Sequence, residues 1–213
     1  MTKEKPDLSK VRVEVRWHED MWQEVKDATM TTIGKDTGKY PTSEWKRKLL
    51  MAEHSPIRIP QIIIKIYDTP SFVHMHLVRH SLGFTPFVST LRSDRVDYDE
   101  VPDRNTLQSA EYIFNLQAAI NVSRRRCCNC ASYETRYVWN KVLEAIKEFE
   151  PELYKQCVKE CVYRNGLCPE MFSCGYNKTE AFKKELKEYT DFIAAQICDD
   201  TNINKGKEDE QRN

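Results

Sequence analysis

Hydrophobic and polar residues first form a clear pattern at Val11-Arg12-Val13-Glu14-Val15-Arg16-Trp17, whose strict alternation predicts a half-buried strand. Met21 to about Ile33 reads as a helix, and Gly34 to Lys39 as a turn-rich loop. Ser43-Glu44-Trp45 opens a short helix through Leu50, with Ser43 as its N-cap. Ile57 to Tyr67 is rich in β-branched residues and predicts a second strand. Pro70-Ser71 punctuates before a short helix from Phe72 to about Arg79. Gly83 to Arg104 has no helical period and reads as a loop, with a strand around Phe87 to Leu91. From Thr106 helical spacing returns, with Leu107, Ala110, Phe114, Ala118 and Asn121 on one stripe. That helix is expected to break at Arg124-Arg125-Arg126-Cys127-Cys128, and Asn129 is a candidate cap for the next, starting at Cys130 or Ala131. Val138, Val142, Ile146 and Phe149 space its apolar face, and Pro151 suits the first turn of a following helix. Cys161 to Gly175 is a cysteine-bearing loop, and Thr179 to Ile197 a last amphipathic helix.

Mixed strand and helix signals without an internal repeat or linker predict one α+β domain over residues 11–198. Residues 1–10 are expected to be flexible, and 199–213 form a polar tail that cannot bury enough surface to order itself. The 213 residues suffice for a substantial core, and 40% hydrophobic with 31% charged residues is ordinary globular composition. Lys plus Arg and Asp plus Glu are both 33, which removes the overall charge expected of a nucleic-acid binder and leaves only local basic patches. The longest apolar run, Ile57 to Ile66, is interrupted by Arg58, Pro60, Gln61 and Lys65, so no membrane span is expected. Met1 to Lys10 lacks the apolar stretch of a signal peptide. Eight cysteines without an export signal then point to reduced thiols in a cytoplasm.

Dinucleotide-binding glycine motifs, a P-loop and a His-Glu-x-x-His zinc motif are absent. The chemistry-bearing features are instead His and Arg clusters. One is His74-Met75-His76-Leu77-Val78-Arg79-His80-Ser81, which also fits a basic helix end favoured by the dipole. The other is Arg124-Arg125-Arg126 with Arg136 beyond it. Guanidinium forks suit phosphates and carbonyl-bearing rings, but three consecutive arginines point in three directions, so at most two can share a site. Cys161, Cys168 and Cys174, with Cys128 or Cys157, could form a tetrahedral thiolate site. Their spacing matches no C-x2-C knuckle, and reduced structural cysteines are the commoner case, so no metal ligand is assigned. Cys127, Cys128 and Cys130 sit beside arginines that could lower a thiol pKa.

These residues carry a resemblance. Asn115-Leu116-Gln117-Ala118-Ala119-Ile120-Asn121 is similar to the helix N-x-R-S-L-x-N of the flavin-dependent thymidylate synthase family. The block from Arg126 to Arg136, Arg-Cys-Cys-Asn-Cys-Ala-Ser-Tyr-Glu-Thr-Arg, resembles its R-L-C-x-R-A-Q-W-E-I-R. Gly166 to Gly175 resembles G-x-C-P-E-x-x-x-S-C-G, and Glu53-His54-Ser55-Pro56 resembles the entry to its second strand. Arg79-His80 resembles the start of the signature R-H-R-x-x-S-x-N-E-x-S-x-R-Y, with departures. Ser81 replaces the third-position Arg, Pro86-Phe87 stands where Asn-Glu is usual, and Gln117 replaces the Arg of the helix motif. The signature's end fits after a one-residue insertion that aligns Thr90-Leu91-Arg92 with S-x-R; without it, Ser89 takes the Ser position. The resemblance covers about residues 11 to 176, as a divergent, phage-like member.

The resemblance implies a central, mainly antiparallel sheet flanked by helices. It implies FAD bound across a homotetramer with sites shared between subunits. It implies transfer of a one-carbon unit from methylenetetrahydrofolate to C5 of dUMP, with NADPH as reductant, giving dTMP. Residue by residue, Arg136 would contact the uracil ring, and Arg79 and His80 would lie between flavin and nucleotide. Arg126, His54 and Asn121 would contact FAD. Arg92, with Thr90 or Ser89, would hold the dUMP phosphate, and His76 would line the substrate pocket. The altered signature loop also motivates a related C5 modification such as hydroxymethylation, and a non-catalytic nucleotide- or RNA-binding relative is the reading from a different class.

Overall fold

The computed structural model describes residues 6–35, 38–80, 82–98 and 100–194. The expectations for residues 1–5, for the end of the last helix and for the tail lie outside the described residues. Within residues 6–10 the chain makes a turn, with Val11 N–H donating to Leu8 O at 3.2 Å and Leu8 packed against the core.

Four strands form one fully antiparallel sheet in the order β1-β2-β4-β3: β1 Arg12–Trp17, β2 Gln61–Pro70, β3 Phe84–Val88 and β4 Leu107–Asn115. Its register explains the core. Trp17, Ile62, Phe114 and Phe84 stand in one row, then Val15, Ile64, Tyr112 and Pro86, then Val13, Ile66, Ala110 and Val88. Strand pleating puts these rows on one face, and the helices cover it. Phe84 packs on Tyr112 and Phe114, and Trp139 packs on both phenylalanines. The opposite face carries Glu14, Arg16, Lys65, Glu111 and Phe87, with Lys65 paired to Glu111 at 3.3 Å. Pro86 is tolerated because β3 is an edge strand.

The helices are α1 Trp22–Thr31, α2 Ser43–Met51, α3 Ser71–Leu77, α4 Leu116–Arg126, α5 Tyr133–Phe149, α6 Pro151–Gln156 and α7 Glu160–Tyr163. A further helix, α8, occupies residues 180–194. The α+β class and single domain read from the sequence are borne out. One element is not: residues 107–115, expected to be helical, form the central strand β4. Gln108, Ala110, Tyr112 and Phe114 are its buried residues, so the same apolar positions satisfy a period of two. Pairing with β2 and β3 on both sides decides between the two readings. The helix begins only after Asn115, whose Oδ1 accepts the Ala118 N–H at 2.9 Å.

Smaller corrections follow from backbone chemistry. Thr42, not Ser43, caps α2, its hydroxyl accepting from Trp45 N–H at 3.3 Å. Residues Ser55–Arg58 form a 3-10 turn containing Pro56, and β2 starts one residue after Pro60, which has no N–H for the ladder. The edge strand begins at Phe84 rather than Phe87, and Ser132 rather than Asn129 caps α5. Gly83 makes the turn into β3 with φ 69, and a Cβ there would lie 2.8 Å from the Asn115 Cγ. Only glycine fits that approach.

Candidate functional site

Three helix ends meet above the sheet because buried polar groups lock each in place. His74 is buried on α3. Its Nε2–H donates to Gln108 O at 3.2 Å, because a carbonyl can only accept. Its Nδ1 then accepts from the Tyr112 hydroxyl at 2.7 Å, and burial holds the ring neutral. This pins α3 to β4. Ser123 on α4 accepts from Trp139 Nε1–H at 2.9 Å and donates to Ala119 O at 2.7 Å, which pins α4 to α5.

The C-terminal ends of α3 and α4 are thereby joined through Arg126. Its Nε–H donates to His80 Nε2 at 2.9 Å, and its Nη2–H donates to His76 O at 2.7 Å. Arginine only donates, so His80 accepts at Nε2 and carries its ring proton at Nδ1. Burial first, then the charges of Arg126 and Arg125, hold the His80 pKa down to about 4. His76 is lowered by burial and by Arg126, Arg79 and Arg104, and its Nδ1 lies 2.8 Å from the Thr135 hydroxyl at the start of α5. Thr135 in turn bonds Ser132 at 2.9 Å. Burial lowers the Arg126 pKa too, as do the like charges of Arg79 and Arg125. The cluster therefore concentrates positive charge around neutral imidazoles, an arrangement suited to an anionic ligand.

The three consecutive arginines do point in three directions. Arg124 pairs with Glu53 and stacks on Tyr163, with 3.6 Å from guanidinium to ring centroid. Arg125 pairs with Glu170 at 2.9 Å, and only Arg126 enters the histidine cluster. Gln117, at the position of the motif arginine, donates to Glu53 at 2.6 Å and to Asn121 at 3.3 Å. Asn121 and His54 are exposed beside this second group, one helical turn and more from Arg126 along α4. Arg136, in the first turn of α5, donates to Asn129 at 2.8 Å, while its Nε is buried without a protein acceptor. Arg47 and Arg124 have a buried Nε of the same kind, and each such donor can be met by water or by a ligand acceptor.

The loop after β3 holds Ser89, Thr90 and Arg92. Ser89 pairs with Ser109 of β4 through backbone and hydroxyl, and Thr90 Oγ1 accepts the Arg92 N–H at 3.1 Å. Asp94 pairs with Arg92, at 2.5 and 2.9 Å. Both partners are about 60% exposed, so this pair is weakly held. Ser81 lies outside the described residues. Sequence reasoning missed Thr135 and Ser132, which were legible as the third residue of a helix and its N-cap.

The cysteines gather differently from the spacing expected. Cys128, Cys130 and Cys174 have sulfurs within 4.8 Å of one another. Cys161 instead lies in a small apolar cluster with Val162, Phe182 and Tyr189. Cys127 and Cys157 are buried and their thiols are pushed up to about 12 by burial, so neither is an activated nucleophile. A cavity of about 580 Å³ lies between α5, α6 and α8, lined by Cys127, Cys157, Lys159, Glu185 and Tyr189 among others.

The α+β fold is shared with solved pyrimidine methylase and thymidylate synthase structures. The chain resembles the flavin-dependent thymidylate synthase of Clostridium tetani (strain Massachusetts / E88), at 33% identity over 133 residues. The match covers 55% of this chain and 53% of that protein, so the chain spans about half the length of the curated relative it matches. PolB, a UMP/dUMP methylase from Streptomyces cacaoi solved with 5-Br dUMP, shares the fold with a TM-score of 0.55 and 13% identity, over 70% of this chain and 94% of its own. Thymidylate synthase X from Helicobacter pylori, solved with FAD and dUMP, aligns with a TM-score of 0.54 and 12% identity, over 70% and 100%. No family model matches the chain. The resemblance read from the sequence motifs is thus supported independently by a relative and by the fold.

Proposed function

We propose that this chain is a flavoenzyme that modifies C5 of a pyrimidine nucleotide, with dUMP as substrate and dTMP as product. FAD is its cofactor, methylenetetrahydrofolate the one-carbon donor and NADPH the reductant. The observation that carries the reading is the Arg126–His80–His76 junction, with Arg79 and Arg125 adding charge at the same place. Bound flavin would supply the hydride chemistry, and the protein contributes orientation and electrostatics. Arg126, Arg79 and the Nδ1–H of His80 would hold the anionic and polar groups of FAD, with His54 and Asn121 as outer contacts. The buried Nε of Arg136 suits a uracil carbonyl, where a fixed cation stabilises negative charge as C5 becomes nucleophilic. Arg92, released from Asp94, would pair with the nucleotide phosphate beside Thr90 and Ser89, and His76 would orient through Thr135.

A homotetramer with shared sites fits the exposed or half-exposed setting of these groups, and a cytoplasmic location fits the free cysteines. Among the described residues no helix is long and apolar enough to cross a membrane. The altered signature loop, with Ser81 and Pro86-Phe87 in place of the usual residues, motivates a second reading, in which the same site performs a different C5 modification such as hydroxymethylation. The test is purification followed by absorbance in the flavin bands, FAD titration and analysis of the nucleotide product. Yellow tetrameric protein that converts dUMP to dTMP is expected. Colourless protein that gains no chromophore on adding FAD would overturn the flavin assignment, and a product other than dTMP would select the second reading.

A further inference from the structure

We infer that Cys128, Cys130 and Cys174 form a binding site for a thiophilic divalent cation, zinc being the probe of choice, with water as fourth ligand. Neither the flavin chemistry nor the nucleotide site uses these thiols. Their sulfurs already lie within 4.8 Å of one another. Tetrahedral zinc with Zn–S near 2.3 Å sets sulfurs about 3.8 Å apart, so modest closure completes the ligand set. Among the described residues no fourth His, Cys, Asp or Glu ligand atom joins the group, which leaves the remaining tetrahedral position to water.

The backbone is arranged for thiolates. The Cys130 N–H points at Cys128 Sγ at 3.5 Å, a contact that favours charge on sulfur. Cys130 and Cys174 are exposed, so an ion can enter, while Cys128 is buried and anchors the group. Each thiol gives up its proton to solvent as its sulfur bonds the metal, so binding one Zn²⁺ releases up to three protons without any redox change. The site then carries net charge −1, next to the basic end of α4. No thiol needs an oxidant, and no bond between sulfurs forms.

The site would tie two segments together. Cys128 and Cys130 follow α4, and Cys174 belongs to the loop whose Glu170 holds Arg125. Cys130 Sγ also contacts Phe172 O at 3.5 Å. The metal therefore fastens this loop to the helix that presents Arg126, which makes it structural rather than a Lewis acid for the nucleotide.

Metal analysis of protein expressed with zinc and purified without chelator should find one zinc per chain. Cobalt added to reduced, metal-stripped protein should give a thiolate-to-cobalt charge-transfer band and the intense d–d bands of a tetrahedral ion. Both signals should vanish in Cys130→Ser and Cys174→Ser, two exposed positions whose folding is checked by circular dichroism. They should persist in Cys168→Ser. Only the weak bands of aqueous cobalt with folded protein would overturn the inference. So would metal retained in both serine variants, or a Cys128–Cys174 disulfide found by mass spectrometry in freshly isolated protein. Loss of metal in Cys168→Ser would refute the three-thiol ligand set. These readouts need no flavin, so they stand or fall apart from the enzymatic reading.

Discussion

Replacing Arg126 by Met keeps an apolar stem of similar length and removes the guanidinium at the centre of the junction. Two charge-assisted bonds go, at 2.9 Å to His80 and 2.7 Å to His76 O. Each such bond contributes about 1.5–3 kcal/mol net. Part of that loss is offset, because Arg79 and Arg125 repel Arg126 and that repulsion disappears. His80 and His76 are half-buried, so their released atoms can reach water. The net loss of stability should therefore be modest, about 1–3 kcal/mol, measurable by thermal or urea unfolding. Ligand binding should suffer more specifically. Losing one bidentate Arg–phosphate pair weakens FAD roughly 10- to 150-fold, read by flavin fluorescence titration. The His80 pKa should rise from about 4, because one of its causes is removed. Burial, the largest cause, remains, so it should stay below the ordinary histidine value. Histidine ring NMR measures this directly. Arg126→Lys separates charge from geometry: it keeps the cation and hence the low His80 pKa, but loses the fork and part of the FAD affinity. Unchanged FAD affinity in folded Arg126→Met would show that the guanidinium serves only structure. An unmoved His80 pKa would refute the contact itself.

Acid should expose His80. Its folded pKa is lowered, so the unfolded chain binds the extra proton between about pH 6.5 and 4, and its contribution falls as pH falls through that window. Glu150, raised to about 7 by burial, has the opposite sign in the same window, so the quantity to measure is the stability of wild type minus His80→Asn. That difference should drop by roughly 1–3 kcal/mol from pH 7 to 4, the half-exposed ring discounting the full shift; a flat difference contradicts the assignment. Arg136→Ala should abolish turnover while changing stability little, since its one side-chain bond to Asn129 is at the surface; retained product formation removes it from the uracil site. Arg92→Ala should weaken dUMP binding in calorimetry by about tenfold or more, whereas Arg95→Ala should not; the reverse result reassigns the loop, and no change in either removes the phosphate from it. Gly83→Ala should destabilise by roughly 1–3 kcal/mol in urea, because a Cβ meets Asn115 at a positive φ, and an unchanged midpoint would show that β3 shifts freely.

Local chemistry alone settled much of this molecule. Alternation in residues 11–17, the β-branched run into β2, the capped start of α2 and Pro151 at the first turn of α6 each specify their own backbone. The motif residues from Asn115 to Asn121 and from Arg126 to Arg136 were enough to indicate the family likeness and the α+β class, and that three adjacent arginines cannot share one site. Residues 107–115 were not decided locally. Leu107, Ala110 and Phe114 fit a helix stripe, and Gln108, Ala110, Tyr112 and Phe114 fit a strand. Only hydrogen bonds from β2 on one side and β3 on the other make the strand win. The same holds for the site. That Arg126 rather than Arg124 or Arg125 meets His80, that Asp94 pairs with Arg92, and that Cys128, Cys130 and Cys174 rather than Cys161 and Cys168 converge depends on segments 44 to 46 residues apart coming together, or on turns of a loop in three dimensions. Residue spacing carries no information about which helix ends will be pinned together. Here that was decided by two buried hydrogen bonds, His74 on Tyr112, which ties α3 to the sheet, and Trp139 on Ser123, which ties α5 to α4.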